Sequence, residues 1–308
     1  MKLIKPSWEI LEQKSGIEGM LRHIERIGRI CYKSEDKITN HSYNKFIAML
    51  IHNKHGAMLE HGTVYLTIHA HPYGGTWEDL EQYYPSIYKY TKNKYSVINS
   101  EEINDELIEY YITTNYRVIV ENDWLNDLQY WCEPTEYHER RHSVLFTTDR
   151  GVSHEFVRNR GSKGNAFAQE STRYCNYSKD KYNNEITFII PNWCESLVEG
   201  IYDTKFPSGG ILINGTEEVF LKLPDRRYVK HFLDCEYLYI SLLEGGWKPQ
   251  QARQVLPNAL KTELVMTCYA SDWKHFFSLR ADKAAHPSAQ ELAYPLQEEF
   301  IKRKYINE

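Results

Sequence analysis

Apolar residues recur at helical spacing through residues 17–32 (IEGMLRHIERIGRICY) and again through 43–51, so both stretches are expected to be helices. Residues 63–69 alternate and are rich in β-branched and aromatic side chains, the pattern of a strand, and Pro72, Tyr73, Gly74 and Gly75 end it. YITTNYRVIV, residues 111–120, reads as a strand or as a strand running into a helix. SVLFTTD (143–149) predicts a strand, and GVSHEFVRNR (151–160) a helix capped by Ser153 with a thin apolar face. EITFIIP (185–191) is a short apolar strand stopped by its proline, and residues 206–223, with Pro207, Ser208, Gly209 and Gly210, form a hairpin or loop. Residues 228–244 are a strongly amphipathic helix ended by Gly245 and Gly246. Pro249 opens the next helix at the favoured first position, and Pro257 closes or kinks it. Residues 261–269 and 272–279 read as further helical turns, and 291–303 as a last helix. Helices and strands are interspersed without a βαβ rhythm or an internal repeat, which points to the α+β class.

Between residues 76 and 142 the texture changes to mixed patterns with many Tyr, Asn and acidic residues. The segment keeps Trp124 and Trp131, so it reads as an inserted substructure, bounded at 72–142, and not as disorder. A chain of 308 residues buries one large core or two small ones. No apolar run approaches the ~20 residues of a membrane span, and MKLIKPSWEI lacks a signal-peptide core, so a cytoplasmic protein with no membrane partner is expected. Cys31, Cys132, Cys175, Cys194, Cys235 and Cys268 are scattered without a C-x-x-C pair, against zinc and against a disulfide scaffold. The net charge of −5 argues against a general nucleic-acid binder. Tyr occurs 24 times; such rings line grooves and interfaces, or Tyr simply stands in for Phe.

Against that acidic background one stretch concentrates cations. FVRNRGSKGNAFAQESTRYCNY, residues 156–177, holds Arg158, Arg160, Lys163 and Arg173. The guanidinium fork donates two parallel hydrogen bonds and suits phosphate. On a helix Arg158 and Arg160 would diverge by roughly 200° and hold two anions, or two parts of one. Ser171 and Arg173, in an extended segment, would share a face as a phosphate clamp. The competing reading is a surface salt-bridge cluster with Glu155, Glu170 and Asp180; Gly161, Gly164, Gln169 and Ser171 favour a ligand. Arg253 in ARQVLP and Arg280 in FFSLRAD must each reach solvent or an anion. His55 and His61 flank KHGAMLEH without the spacing of a zinc motif or a third ligand, so no metal is expected; His275 and His286 are candidates for polar ligand contacts. The chain has no nucleophile elbow, phosphate-binding glycine loop or dinucleotide fingerprint, so a nucleotide cofactor would not sit in a Rossmann pocket.

HEFVRNRGSKGNAFAQESTRYCNYS, with KHGAMLEH before it and ARQVLP and HFFSLRAD after it, resembles the flavin-dependent thymidylate synthases. That family's hallmark is Arg-His-Arg, seven residues, Ser, then x-Arg-Tyr, and the four blocks stand here in the family's order from about His55 to His286. The resemblance implies a single domain over residues 1–308, with a mixed or antiparallel sheet and packed helices. It implies a homotetramer with sites shared between subunits. It further implies FAD, dUMP, methylenetetrahydrofolate as carbon donor, NADPH as reductant, dTMP as product and no cysteine nucleophile. Carried over by position, Glu155, Arg158, Gln169, Glu170, Ser171, Thr172, Arg173, Arg253 and Arg280 would contact dUMP. Arg280 would be catalytic, lying against the pyrimidine and favouring ionisation at N3. His55, Ala57, Arg158, Asn159, Arg160, Tyr269, Ser271 and His275 would contact FAD. The chain departs from the pattern in Asn159, where the family has His, and in ten residues rather than seven between Arg160 and Ser171. It departs again in TCYASDW, which lacks an Asn and an Arg common there. These departures keep two alternatives open: methylation or hydroxymethylation of another pyrimidine nucleotide, and a non-catalytic nucleotide- or flavin-binding relative.

Overall fold

KTELVMTCY, whose spacing predicts helical turns, is instead a central strand. Its last six residues are all buried, so it shows no alternation, and a short apolar run of that kind fits a helix or a strand covered on both faces equally well. The β-branched Thr262, Val265 and Thr267 suit the pleat and decide the outcome.

The computed structural model describes residues 1–72, 77–177, 185–205, 208–215 and 217–307. Their strands are β1 (Lys2–Ile4), β2 (Ser7–Leu11), β3 (Thr63–Ala70), β4 (Val97–Asn104), β5 (Leu107–Asn115), β6 (Arg141–Asp149), β7 (Ala166–Gln169), β8 (Thr187–Ile189), β9 (Gly200–Lys205), β10 (Gly210–Ile213), β11 (Glu217–Glu218) and β12 (Lys261–Tyr269). Their helices are α1 (Gly16–Tyr32), α2 (Ser42–His52), α3 (Gly56–Leu59), α4 (Trp77–Tyr83), α5 (Pro85–Thr91), α6 (Tyr116–Glu121), α7 (Arg150–Phe156), α8 (Leu223–Glu244), α9 (Pro249–Ala252), α10 (Ala270–Arg280) and α11 (Pro287–Lys302). Among the described residues no helix is long and apolar enough to cross a membrane.

Three sheets result, and the architecture is α+β as the interspersed pattern predicts. The antiparallel sheet β2-β6-β12-β7 is covered on one face by α7, α10 and α11, which bury Phe146, Phe156, Trp273, Phe276, Phe277 and Phe300 together. On the other face Ile27 and Ile30 of α1 meet Ala168 and Val265. The sheet β11-β10-β9-β1-β8 is antiparallel except for the β1–β8 pair, and α8 packs Val229, Phe232 and Tyr239 against Phe188 and Tyr202. The third sheet, β3-β5-β4, takes two of its strands from the 77–142 region. That region shares one core with α1 and α2, where Tyr90, Tyr110 and Ile112 meet Ile24, Phe46 and Leu50.

Local chemistry corrects several boundaries. The strand at 107–115 does run into a helix, capped by Asn115, whose side chain accepts from Val118 N at 3.2 Å. The helix after β6 is capped by Asp149, which accepts from Val152 N at 2.8 Å; Ser153 is buried inside it and donates to Arg150 O. That helix ends at Phe156, short of residue 160. The predicted turn at Tyr73, Gly74 and Gly75 lies outside the described residues, as does Pro207 of the predicted hairpin; Gly209 and Gly210 lead into β10 as expected.

Two buried networks pin β12. His23 Nε2 lies 3.0 Å from Ser143 Oγ, which lies 2.6 Å from Thr267 Oγ1, which lies 2.7 Å from His61 Nδ1. Burial, reinforced by neighbouring charges, depresses both imidazoles to about 3, so both are neutral in the fold. At the other end of β12, Lys261 Nζ holds Glu170 at 2.9 Å and Glu263 at 2.6 Å, Lys33 joins Glu263, and Tyr177 donates to Glu170 at 3.1 Å. Burial alone would depress the Lys261 ammonium, but the two carboxylates outweigh it and hold its pKa above the ordinary lysine range. Burial likewise works against Glu263, and Lys261 and Lys33 outweigh it and lower its pKa.

The histidines set an acid limit. Above the ordinary histidine pKa of about 6.5 both folded and unfolded forms are neutral, and the fold bears no penalty. As pH falls from there towards about 3 the unfolded chain takes up protons that the fold refuses, so stability drops, with a slope of about 1.4 kcal/mol per pH unit for each histidine. Urea titrations across this window are expected to show the fall, and His23→Gln to flatten it; a slope unchanged in His23→Gln would contradict this assignment. Lys261→Met, which takes the close cation from buried Glu170 and leaves Glu263 to Lys33, is expected to cost about 3–5 kcal/mol by chemical denaturation, and Glu170→Gln in the same chain to recover part of it. A change within ~0.5 kcal/mol, the scale of ordinary surface substitutions, would mean that the network is not cohesive.

Candidate active site

Chain geometry places α7, the 170–174 turn and Arg253 around one end of the β6–β12 pair, while Tyr269 and Ser271 lie at the other, opposite Arg141. β6 ends at Asp149, opposite Lys261, and delivers the chain into α7. β7 lies on the other side of β12, with Gln169 opposite Leu264, and delivers it into residues 170–174. Gln169 bridges the two exits, donating to Ser153 Oγ of α7 at 2.8 Å and to Thr262 Oγ1 at 3.2 Å.

Residues 171–174 form a turn, and so the expected extended clamp of Ser171 and Arg173 takes a different shape. The amides of Tyr174 and Cys175 donate to Ser171 O at 3.2 and 3.0 Å, and Arg173 N donates to Ser171 Oγ at 3.3 Å. Glu170, 2% exposed, sits beneath the turn with both oxygens engaged by Lys261 and Tyr177. Arg173 is exposed, its guanidinium 5.5 Å from the Tyr174 ring. Thr172 is buried and accepts from Arg253 Nη1 at 3.1 Å, which brings the ARQVLP block onto the turn.

Arg158 and Arg160 follow the end of α7, so their helical divergence does not apply. Both are exposed and flank Asn159, which is 3% exposed and has neither amide atom partnered. The lengthened segment folds down onto α10: Ser162 N donates to Asp272 Oδ1 at 2.7 Å. A Cβ at Gly161 would stand 2.1 Å from Asn165 Oδ1 and 2.4 Å from Asp272 Oδ2, so the approach needs glycine. Gly164 takes φ +84° against the Tyr95 ring. Of the salt bridges weighed from sequence, Glu155 pairs with Arg280 and Glu170 with Lys261, while Asp180 lies outside the described residues. Among the described residues Arg158, Arg160 and Arg173 form no ion pair. Their charge faces solvent.

Arg280 closes the α7 side. Its Nη2 donates to Glu155 O at 2.7 Å and its Nη1 to Glu155 Oε2 at 3.3 Å, while its buried Nε has no partner. His55, exposed at the start of α3, lies 3.4 Å through Nδ1 from Tyr32 OH. His55, Tyr32 and Tyr174 line one groove of about 650 Å³ with Arg29, Lys33 and Lys37, so the KHGAMLEH block and the turn share a wall. Ala57 is exposed beside it on α3. Ser271 and His275 are exposed on α10, where Ser271 N donates to Glu139. Tyr269 is fully buried and donates its hydroxyl to the carbonyls of Tyr95 and Thr113 at 2.8 and 2.9 Å. His61 belongs to the buried network, and His286 caps α11 by accepting from Ser288 N. His286 also lines a cavity of about 260 Å³ with Asp149, Glu155, Trp193 and Tyr228. Trp193 and Tyr228 went unnoticed in the sequence because neither stands in a motif. Among the described residues no group of three or more His, Cys, Asp or Glu could hold a metal ion.

Residues 139–303 match the model of a family described as thymidylate synthase complementing protein. The flavin-dependent thymidylate synthase of Pyrococcus furiosus is 30% identical over 157 residues, covering 51% of this chain and 52% of that protein. That of Pyrococcus abyssi is 29% identical over 157 residues, covering 51% and 52%. The chain thus spans about half the length of the curated relatives it matches. A solved UMP/dUMP methylase, PolB from Streptomyces cacaoi bound with 5-Br dUMP, aligns with a TM-score of 0.41 at 17% identity, covering 98% of this chain and 93% of that one, a likeness too loose to weigh. The family match covers more than half of the chain and holds α7, the 170–174 turn, Arg253 and Arg280. On that match, the chain belongs to the thymidylate synthase complementing protein family.

Proposed function

We propose that the chain methylates dUMP to dTMP in a flavin-dependent reaction, with methylenetetrahydrofolate as carbon donor and NADPH as reductant. It acts in the cytoplasm as a homotetramer of single-domain subunits in which residues 72–142 are an inserted substructure. The observation that carries this reading is the 3.1 Å contact from Arg253 to Thr172. It joins two motif blocks at a turn whose Arg173 has no ion pair among the described residues.

A nucleoside monophosphate presents a dianion, and Arg173, Arg253 and the Ser171 hydroxyl are the groups to hold it by charge-assisted hydrogen bonds. Gln169 and Glu170 act from behind: both are spent on protein partners and fix the turn's position. Arg280, held to Glu155 at the end of α10, keeps a cationic donor beside the base, where it stabilises negative charge developing at N3. The residues also suit FAD. Asn159 offers a buried amide with an unused donor and an unused acceptor, and Arg158 and Arg160 offer exposed cations for a diphosphate. His55 borders the neighbouring groove, and Ala57, Ser271 and His275 are exposed and open to contact, whereas the Tyr269 hydroxyl is already committed to two carbonyls. When bound, reduced FAD supplies hydride to the reaction. Assembly is supported by apolar exposure along and beside α8, where Phe220 is 97% exposed and Leu223, Tyr237, Leu238 and Trp247 are also open.

Asn159 and the glycine-bearing segment anchored on Asp272 keep a second reading in view, the same chemistry on a different pyrimidine nucleotide. Competition binding between dUMP and dCMP separates the two, and preference for dCMP would favour the second. With FAD, NADPH and methylenetetrahydrofolate supplied, Arg280→Ala is expected to lower kcat for dTMP formation by ~10²–10³-fold, the scale for removing one electrostatic donor. Arg173→Ala and Arg253→Ala are expected to weaken dUMP binding by about 1.5–3 kcal/mol each. Turnover at the wild-type rate in Arg280→Ala would contradict its role.

A further inference from the structure

At the opposite end of β6 from α7 lies a second cavity, of about 270 Å³, lined by Lys14, Trp131, Arg140, Arg141 and His142 among others. Arg141 begins β6 and Asp149 ends it, so about 26 Å of strand separates this cavity from the end at which α7 and the 170–174 turn meet; Tyr269, opposite Arg141, lies at the cavity's end.

Three side chains in its wall carry buried polar atoms without partners: Trp131 Nε1, Arg141 Nε and His142 Nε2. Trp131 Nε1 and Arg141 Nε are obligate donors, and His142 Nε2 can carry its ring proton. Arg141 is 8% exposed, and its Nη1 is fixed by Glu60 O at 3.1 Å and Thr63 Oγ1 at 3.3 Å, so the side chain cannot swing out to water. The His142 ring is stacked on Tyr305, 3.9 Å between centroids, and is held in place too. Buried donors are nearly always paired, and each left unpaired costs roughly 1–3 kcal/mol. His142, next to Arg141 in β6, points to the opposite face of the sheet, so Trp131 Nε1 and Arg141 Nε are the two donors that call for an acceptor here.

Each carboxylate that borders the cavity already has one oxygen engaged. Glu12 accepts from Tyr305 OH at 2.6 Å and from Arg303 at 3.1 Å, and Glu133 accepts from Gly16 N at 3.2 Å at the start of α1. Lys14 and Arg140, exposed at the rim, form no ion pair among the described residues. Donors and cations therefore outnumber the acceptors free to meet them.

We infer that this cavity is a second ligand site, separate from the nucleotide site, that binds a small multivalent anion rich in acceptor oxygens, either inorganic phosphate or a short dicarboxylate. The fixed donors of Trp131 and Arg141 meet its oxygens, and Lys14 and Arg140 attract it to the mouth. An anion bound only to the folded chain raises thermal stability in proportion to its occupancy.

Phosphate and succinate are titrated separately into the full chain, with calorimetry and thermal unfolding as readouts. Saturable binding by one of them names the occupant class. Trp131→Phe, which keeps the packed ring and deletes the donor, is expected to weaken that binding roughly tenfold, the equivalent of one hydrogen bond to a charged group. Arg140→Gln is expected to weaken it and to reduce its salt dependence, while Arg173→Ala leaves it unchanged. Circular dichroism confirms that each variant is folded, and Arg140→Gln, altered at an exposed position, keeps the test valid if Trp131→Phe does not fold. The inference is overturned if neither anion binds saturably. It is equally overturned if binding survives both cavity variants, or if Arg173→Ala abolishes it, which would place the anion at the nucleotide turn.

Discussion

The antiparallel pairing of β12 with β6 is the constraint from which the site follows. Lys261 stands opposite Asp149 and Tyr269 opposite Arg141, so the start of one strand is locked to the end of the other. Arg253, just before β12, is thereby delivered to the end from which α7 departs. β7 pairs on the free side of β12 in the same sense, and Glu170 N donates to Glu263 O at 2.8 Å, which puts the 171–174 turn at that same end. Beyond Tyr269 the chain turns into α10, whose 11 residues span roughly 16 Å and bring Arg280 back to Glu155. Motifs separated by more than a hundred residues meet because one strand is shared.

The same strand sorts the charges. Towards its far end, Thr267 is tied to His61 and Ser143, and the imidazoles around it stay neutral because burial penalises their charged form. At its start, Lys261 and Lys33 neutralise Glu170 and Glu263, so the buried carboxylates are compensated. The arginines that remain outside these networks, Arg158, Arg160 and Arg173, are the ones that face solvent beside Asn159 and Ser171. An acidic protein can present a basic site because its acids near that site are already matched below the surface.

Much of the fold was legible where one face is buried and the other is wet. The helices α1, α2, α8 and α11 announce themselves by apolar spacing, and β3 by its β-branched and aromatic content. β12 did not, because burial on both faces erases alternation, and its helical reading failed for that reason. Asp149 outcompeted Ser153 as a cap because the strand ends one residue before the helix begins, leaving the Asp149 side chain beside the free amide of Val152. Ser171 and Arg173 form a turn because the Ser171 carbonyl and hydroxyl both accept from amides just ahead of them. The motif blocks were readable as a resemblance, and the match over residues 139–303 bears out the family. The contacts behind them were not readable: Arg253 with Thr172, or Lys261 with Glu170, are long-range pairings that no local pattern encodes.

The most direct measurement is the visible absorption spectrum of the protein after incubation with FAD and removal of free cofactor, followed by titration with dUMP. A retained flavin band that shifts saturably with dUMP is the expected result, since it requires the Asn159 region and the Ser171–Arg173 turn to hold their ligands side by side. Failure to retain flavin, together with a dUMP titration that changes nothing, would contradict the account: the arginines left open around α7 and the turn would then serve some other anion.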